Sequence, residues 1–223
     1  GIGQDAINSD NYIFGVSQSG IGLDPEYYTH PNPQQQAVVA AYKSLMKDYF
    51  KMVGNSDALA EQKMQAAFAI ENQIAQKSYD QVKSRDPKAN VHKISWMELL
   101  RDYPGIDWMD AHRQYGYPTD IDTVDVGQPE PIHEVEKILA TADLFALKAY
   151  MEACVISSSA SLLSDDFGNR NFEYVKAVYG IKEQQPRWKR GISFIQDLMG
   201  ESIGKLYVAK YFPEENKARM LAL

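Results

Sequence analysis

The stretch PQQQAVVAAYKSLMKDYFKMVGNSDALAEQKMQAAFAIENQIAQKSYDQVKS, residues 33–84, carries two helix-period patterns separated by a very short turn. In the first, Val38, Val39, Tyr42, Leu45, Met46, Tyr49 and Phe50 recur at steps of three and four, which puts them on one face of an α-helix. Pro33 suits the first helical turn, where its missing N–H is no loss, and Gly54 supplies a stop. The second pattern runs from Ser56 or Asp57 to about Ser84, with Leu59, Met64, Ala67, Phe68, Ile70 and Ile74 as its apolar stripe. Arg85-Asp86-Pro87 ends it, because the residue before a proline avoids the helical region. Two helices joined so tightly pack as an antiparallel hairpin, and the fold class that follows is mostly α.

Downstream the same reasoning continues. Ser95-Trp96-Met97-Glu98 is a capping-box pattern that opens a short helix to about Arg101, and Asp107 caps another through His112. Thr123-Val124-Asp125-Val126 alternates between turn residues and reads as a short strand. Pro131 starts a helix to about Ala140. Thr141 or Asp143 caps a longer one through about Ala160, with Leu144, Leu147, Tyr150, Met151 and Cys154 on one face. A helix over Asn169 to Val178 is stopped by Gly180; Pro186 opens a long helix to Tyr211 with a break at Gly200; Pro213 precedes a terminal helix from Glu214 to Leu221.

Upstream, residues 1–33 are punctuated by glycine, proline, serine and asparagine and read as irregular, apart from a short strand at Tyr12 to Val16. The expectation is a mostly α, multi-helix domain over residues 34–223, with helical hairpins and at most one or two short strands. Residues 1–33 are expected to be an irregular connecting segment.

The chain has 223 residues, of which 44% are hydrophobic, enough to build a core. Its formal net charge of -7 matches poorly with a polyphosphate backbone, so nucleic acid is excluded as the expected partner. The basic run Arg187-Trp188-Lys189-Arg190 reads as a solvated helix start with a packed tryptophan. No stretch of about 18 apolar residues exists, so no membrane contact is expected of this segment. The single cysteine, Cys154, excludes an internal disulfide and, among Met151, Ala153, Val155 and Ile156, reads as a buried, inert thiol.

Chemistry-bearing constellations are sparse. His30, His92, His112 and His133 are far apart, with no pair at the i, i+4 spacing that aims two rings at one metal ion, and all four read as surface or capping histidines. His133-Glu134-Val135-Glu136-Lys137 comes nearest to H-E-x-x-H, but Lys137 would place a positive charge where the second ligand belongs. Gly20-Ile21-Gly22 reads as a tight turn, and Ser157-Ser158-Ser159-Ala160-Ser161 as a small-residue helix face that permits close packing. No catalytic, cofactor-binding or metal-binding residue is assigned.

Three stretches carry a family resemblance. Residues 200–217, GESIGKLYVAKYFPEENK, resemble a segment of the neprilysin and endothelin-converting-enzyme family of zinc metalloendopeptidases. Residues 20–28, GIGLDPEYY, and 186–190, PRWKR, are similar to two further elements of that family. Arg85-Asp86-Pro87, Gln128-Pro129 and Asn171-Phe172-Glu173-Tyr174 fall in the family's order between them, so the resemblance runs from about Asp10 to Lys217. Asp24-Pro25-Glu26 departs from the family's order before the tyrosines. Gly191 stands where animal members carry a cysteine, which makes the chain similar to bacterial oligopeptidase-O-type members.

The resemblance implies that the chain is the N-terminal cap-lobe portion of a two-lobe peptidase, with residues 1–33 as interlobe linker. It implies zinc and the H-E-x-x-H helix in a catalytic lobe outside this chain, and inactivity of the chain alone. The implied partners are that catalytic lobe and peptide substrates, restricted to short peptides by an enclosed cavity. The implied location is the cell envelope rather than the cytoplasm. The competing expectation is an independent helical module that binds peptides or proteins in a groove without hydrolysing them.

Overall fold

A computed structural model describes residues 1–118 and 120–222; the expected domain end at Leu223 lies outside the described residues. The elements run β1 (Ile2–Gln4), β2 (Tyr12–Val16), α1 (Glu26–Thr29), α2 (Pro33–Met52), α3 (Asp57–Ala75), β3 (Lys93–Ser95), α4 (Trp96–Asp102), α5 (Trp108–Tyr115), β4 (Thr123–Val126), α6 (Pro129–Thr141), α7 (Leu144–Ser159), α8 (Asp165–Tyr179), α9 (Arg187–Tyr211) and α10 (Glu214–Leu221), with 3-10 turns at Lys83–Arg85 and Pro87–Asn90. The mostly α class holds.

The hairpin of α2 and α3 forms from local chemistry. Asn32 accepts the Gln35 N–H at 2.9 Å while the Gln35 side chain accepts the Asn32 N–H at 2.9 Å, a reciprocal cap that satisfies two otherwise orphaned donors. Gly54 takes φ +97° in the turn, and Ser56 caps α3 through the Leu59 N–H at 3.3 Å. Tyr42, Leu45, Met46, Tyr49 and Phe50 of α2 then pack on Ala60, Met64 and Ala67 of α3. Phe50 is wholly buried, and its burial is worth about 1.5–3 kcal/mol.

α3 ends at Ala75, earlier than its sequence pattern predicts. Tertiary hydrogen bonds take over its backbone. Gln18 accepts the Tyr79 N–H at 2.7 Å and donates to the Tyr79 carbonyl at 3.0 Å, while the Ser78 hydroxyl donates to the Ile74 carbonyl at 3.0 Å.

α7 packs on this hairpin through only part of the face its large residues suggest: Leu147 and Tyr150 pack against the core and Cys154 is half-buried. Ala149, Ala153 and Ile156 are buried, whereas Leu144 and Met151 are exposed. Small residues on both helices, Ala60 and Ala67 against Ala153 and Ala160, let α3 and α7 approach closely, so the alanines win the interface. Of the serine run, only Ala160 is buried.

The sheet exceeds the two strands expected. Its order is β1-β2-β4-β3, with β1 antiparallel to β2 (Ile2 opposite Phe14), β2 parallel to β4 (Phe14 opposite Val124) and β3 antiparallel to β4 (Ile94 opposite Val124). β1 and β3 have three residues each, too short to show alternation in a sequence. Within residues 1–33 the expected β2 is joined by β1 and the short helix α1, with irregular chain between them. Phe14, Val124 and Val126 back onto Leu99, Tyr103, Trp108 and Ile132 as a second core, and Ile70, Ile74 and Ile138 join α3 to α6.

The chain divides into two compact units, Gly1–Val178 and Tyr179–Leu223. The second consists of α9 and α10. α9 is interrupted at Met199, which leaves the helical region (φ −136°, ψ 33°) one residue before Gly200. No described residue of either helix is buried. Trp188, expected to be packed, is 63% exposed.

Candidate functional site

The motif nearest to a zinc site is occupied by its own ion pairs. Lys137 donates to Glu134 Oε1 at 3.2 Å, and His133 Nδ1 meets Glu136 Oε2 at 3.0 Å while its ring stacks on Tyr103 with centroids 4.4 Å apart. An ammonium paired to the motif's glutamate does not fit a metal ion. Among the described residues no group of three or more His, Cys, Asp or Glu side chains is placed to hold a metal. His30 is exposed, and the half-buried His92 meets the Val126 and Gly127 carbonyls through Nδ1 at 3.1 Å each.

His112 departs from the surface reading: it is 3% exposed. It follows Trp108 by one helical turn and donates from Nδ1 to the Trp108 carbonyl at 3.2 Å. Phe14 and Trp96 press edge-on at 4.3 and 4.5 Å, and Nε2 is buried with no hydrogen-bond partner. Burial pushes its pKa down, against the pull of the Trp108 carbonyl. A groove of about 450 Å³ opens beside it, lined by Phe14, Trp108, Tyr115 and Tyr117. A second, of about 410 Å³, is lined by Glu26, His30, Tyr79, Asp80, Lys83 and Glu130. There the Tyr79 hydroxyl donates to Glu130 at 2.7 Å, and burial with that carboxylate pushes the Tyr79 pKa up to about 12.

The most closely bonded polar centre was not visible as a motif. Glu71, on α3, is 4% exposed and accepts Tyr28 Oη–H at 2.7 Å on Oε2 and Tyr42 Oη–H at 2.8 Å on Oε1. Tyr28 Oη accepts in turn from the N–H groups of Gly22 and Leu23, both at 3.2 Å. On the other side of the segment, Tyr150 donates to the Gly20 carbonyl at 2.8 Å. Three tyrosines and one carboxylate thus fasten residues 20–28 to α2, α3 and α7. Burial raises the Glu71 pKa, opposed by the two tyrosine hydrogen bonds and by the Gly22 N–H. Burial likewise raises Tyr28 and Tyr42, with Glu71 adding to both. The signal available in the sequence was a glutamate set inside the apolar stripe between Ile70 and Ile74.

Cys154 lies half-buried beside Tyr150, and burial pushes its thiol up. That is opposite to the activation a nucleophilic thiolate needs. No helix among the described residues is long and apolar enough to cross a membrane.

Comparison with known proteins sets these features in context. The family model described as Peptidase family M13 matches residues 1–223. Endothelin-converting enzyme 1 of Homo sapiens is 27% identical over 222 residues, covering 97% of this chain and 29% of that protein. Neprilysin-2 of Drosophila melanogaster is 26% identical over 237 residues, covering 100% of this chain and 30% of that protein. The zinc metalloprotease Zmp1 of Mycobacterium tuberculosis, solved in an open state, superposes with a TM-score of 0.90 at 29% identity, covering 98% of this chain and 34% of that one. PepO from Lactobacillus rhamnosis shares the fold, with a TM-score of 0.87 at 20% identity over 99% of this chain and 35% of that one. The chain thus spans about a third of the length of the proteins it matches.

Proposed function

The chain belongs to peptidase family M13, and from that premise we propose that it is the N-terminal part of the helical cap lobe of a two-lobe zinc endopeptidase. Its work there is steric: it helps enclose the peptide cavity and excludes folded proteins, so that only short peptides reach the reaction centre. Zinc and the general base belong to the remaining polypeptide. Residues 1–33 serve as interlobe linker, and the whole protein works in the cell envelope.

The observation that carries this reading is the match to Zmp1, which covers 98% of this chain but 34% of that one, together with the failure of His133-Glu134 to fit a metal. Exposed Met151 and Val155 on α7, and exposed Phe194, Ile195 and Leu198 on α9, support a chain that presents apolar surface to further structure. The same exposure counts against an independent binding module.

The test compares the purified chain with the same chain joined to its downstream reading frame. The chain alone should bind no stoichiometric zinc and cleave no fluorogenic peptide. The joined protein should hold zinc and cleave short peptides while leaving folded proteins intact. Zinc or hydrolysis in the chain alone, or equal cleavage of short and folded substrates by the joined protein, overturns the proposal.

A further inference from the structure

We propose that Glu71 is a proton-operated latch for the Gly20–Tyr28 segment, holding it more tightly when the carboxyl is neutral than when it is ionised. Two amides of the segment reach the bundle through one side chain, Gly22 and Leu23 N–H to Tyr28 Oη and Tyr28 Oη–H to Glu71, while Tyr150 on Gly20 and Gln81 on Asp24 and Glu26 hold it independently of that carboxyl. The titratable groups facing Glu71 are Tyr28 from α1, Tyr42 from α2, and Tyr150 with Cys154 from α7. None is a cation. Lys43 Nζ stands 4.0 Å from the ring of Phe68, itself stacked 5.2 Å from Tyr28. A buried carboxylate with only neutral donors keeps part of its desolvation cost.

Hydrogen-bond counting shows how the proton is accommodated. Tyr28 Oη has both lone pairs occupied by amides and its own proton on Oε2, so that link is the same in either state. The proton therefore sits on Oε1 and donates to Tyr42 Oη, which removes the buried charge while the Tyr42 O–H gives up its bond to the carboxyl. When the segment lifts away, Tyr28 leaves and water reaches the carboxyl, which then titrates in its ordinary range. The docked-state pKa is the higher of the two. The latch is thus fully engaged below the ordinary carboxylate range and weakens as pH rises through the docked-state value, tenfold in opening for each unit between the two.

The experiment is amide hydrogen exchange at Gly22 and Leu23 across pH, corrected for intrinsic rates, alongside the carboxyl ¹³C titration of Glu71 in the same full chain. Protection should fall about tenfold per pH unit above the ordinary carboxylate range and level off at the pH where the carboxyl of the docked chain titrates. Glu71→Gln should give protection independent of pH. Tyr42→Phe removes a donor to the carboxylate and should move the carboxyl midpoint and the levelling-off of protection upward together. Protection that is flat across the Glu71 titration overturns the latch, as does a pH profile that persists unchanged in Glu71→Gln. If that variant does not fold, the wild-type profile decides alone: a fall in protection that levels off at the carboxyl midpoint supports the latch, and one that continues unchanged past it overturns it.

Discussion

Replacing Gly22 by alanine tests how tightly the segment is fitted. A Cβ at this position would lie within the van der Waals envelope of the Tyr42 hydroxyl and 2.5 Å from its Cζ. Gly22 has no left-handed backbone requirement, so the effect is steric and not conformational. The Tyr42 ring must move, and it cannot do so while donating to Glu71 at 2.8 Å. Overpacking costs about 1–3 kcal/mol. Losing a hydrogen bond to a charged acceptor costs about 1.5–3 kcal/mol. Gly22→Ala should therefore destabilise by about 2.5–6 kcal/mol, a Tm fall on the order of 10 °C for a chain of this size.

The assay is thermal and urea unfolding followed by near-ultraviolet circular dichroism, in a double-mutant cycle with Tyr42→Leu. The shorter side chain vacates the space, so in that background Gly22→Ala should come within about 1 kcal/mol of neutral, because reduced freedom of the unfolded chain now favours alanine. Equal cost in both backgrounds would refute the steric reasoning.

Three further outcomes are expected. Ala153→Leu, at the close α3–α7 contact, should cost about 1–3 kcal/mol by overpacking, while Val155→Gln, at a position 60% exposed, should stay within about 0.5 kcal/mol; urea midpoints compare the two. Gln18→Ala strips the Tyr79 N–H of its acceptor and leaves the Tyr79 carbonyl with the Ser84 hydroxyl, and should cost about 1–3 kcal/mol, with faster amide exchange at Tyr79. Asp5 accepts from Lys93 at 2.5 Å, which with the Ile7 N–H holds its pKa below the ordinary carboxylate value. Its contribution is present above the ordinary range and lost as pH falls through the depressed value, so Asp5→Asn should abolish that acid-side loss of β1 amide protection.

The deepest agreement between pattern and structure lies where the deciding forces are local. The α2–α3 hairpin, the Ser95–Glu98 capping box, the β2 and β4 strands and the Gly180 stop each depend on a period, a cap or a glycine within a few residues. Those signals sit in the chain itself, and so do the family-like stretches around Gly20, Pro186 and Gly200. Other features needed groups distant in sequence. α3 stops at Ala75 because Gln18, 61 residues away, takes the Tyr79 backbone. α7 turns its alanines inward because α3 offers alanines opposite, and close approach outweighs the transfer of larger side chains that remain exposed. His112 is buried because Phe14 and Trp96 arrive from other elements. Glu71 draws its partners from residues 29 and 43 positions away. Amino-acid order by itself determined where most of the long helices start and where their turns fall, since those follow from short-range sterics and hydrogen bonding, and its motifs carried the family resemblance. Only the tertiary structure decided which faces are buried, where α3 ends and which carboxyl lies in the dark, since those depend on what a distant part of the chain brings within a few ångströms.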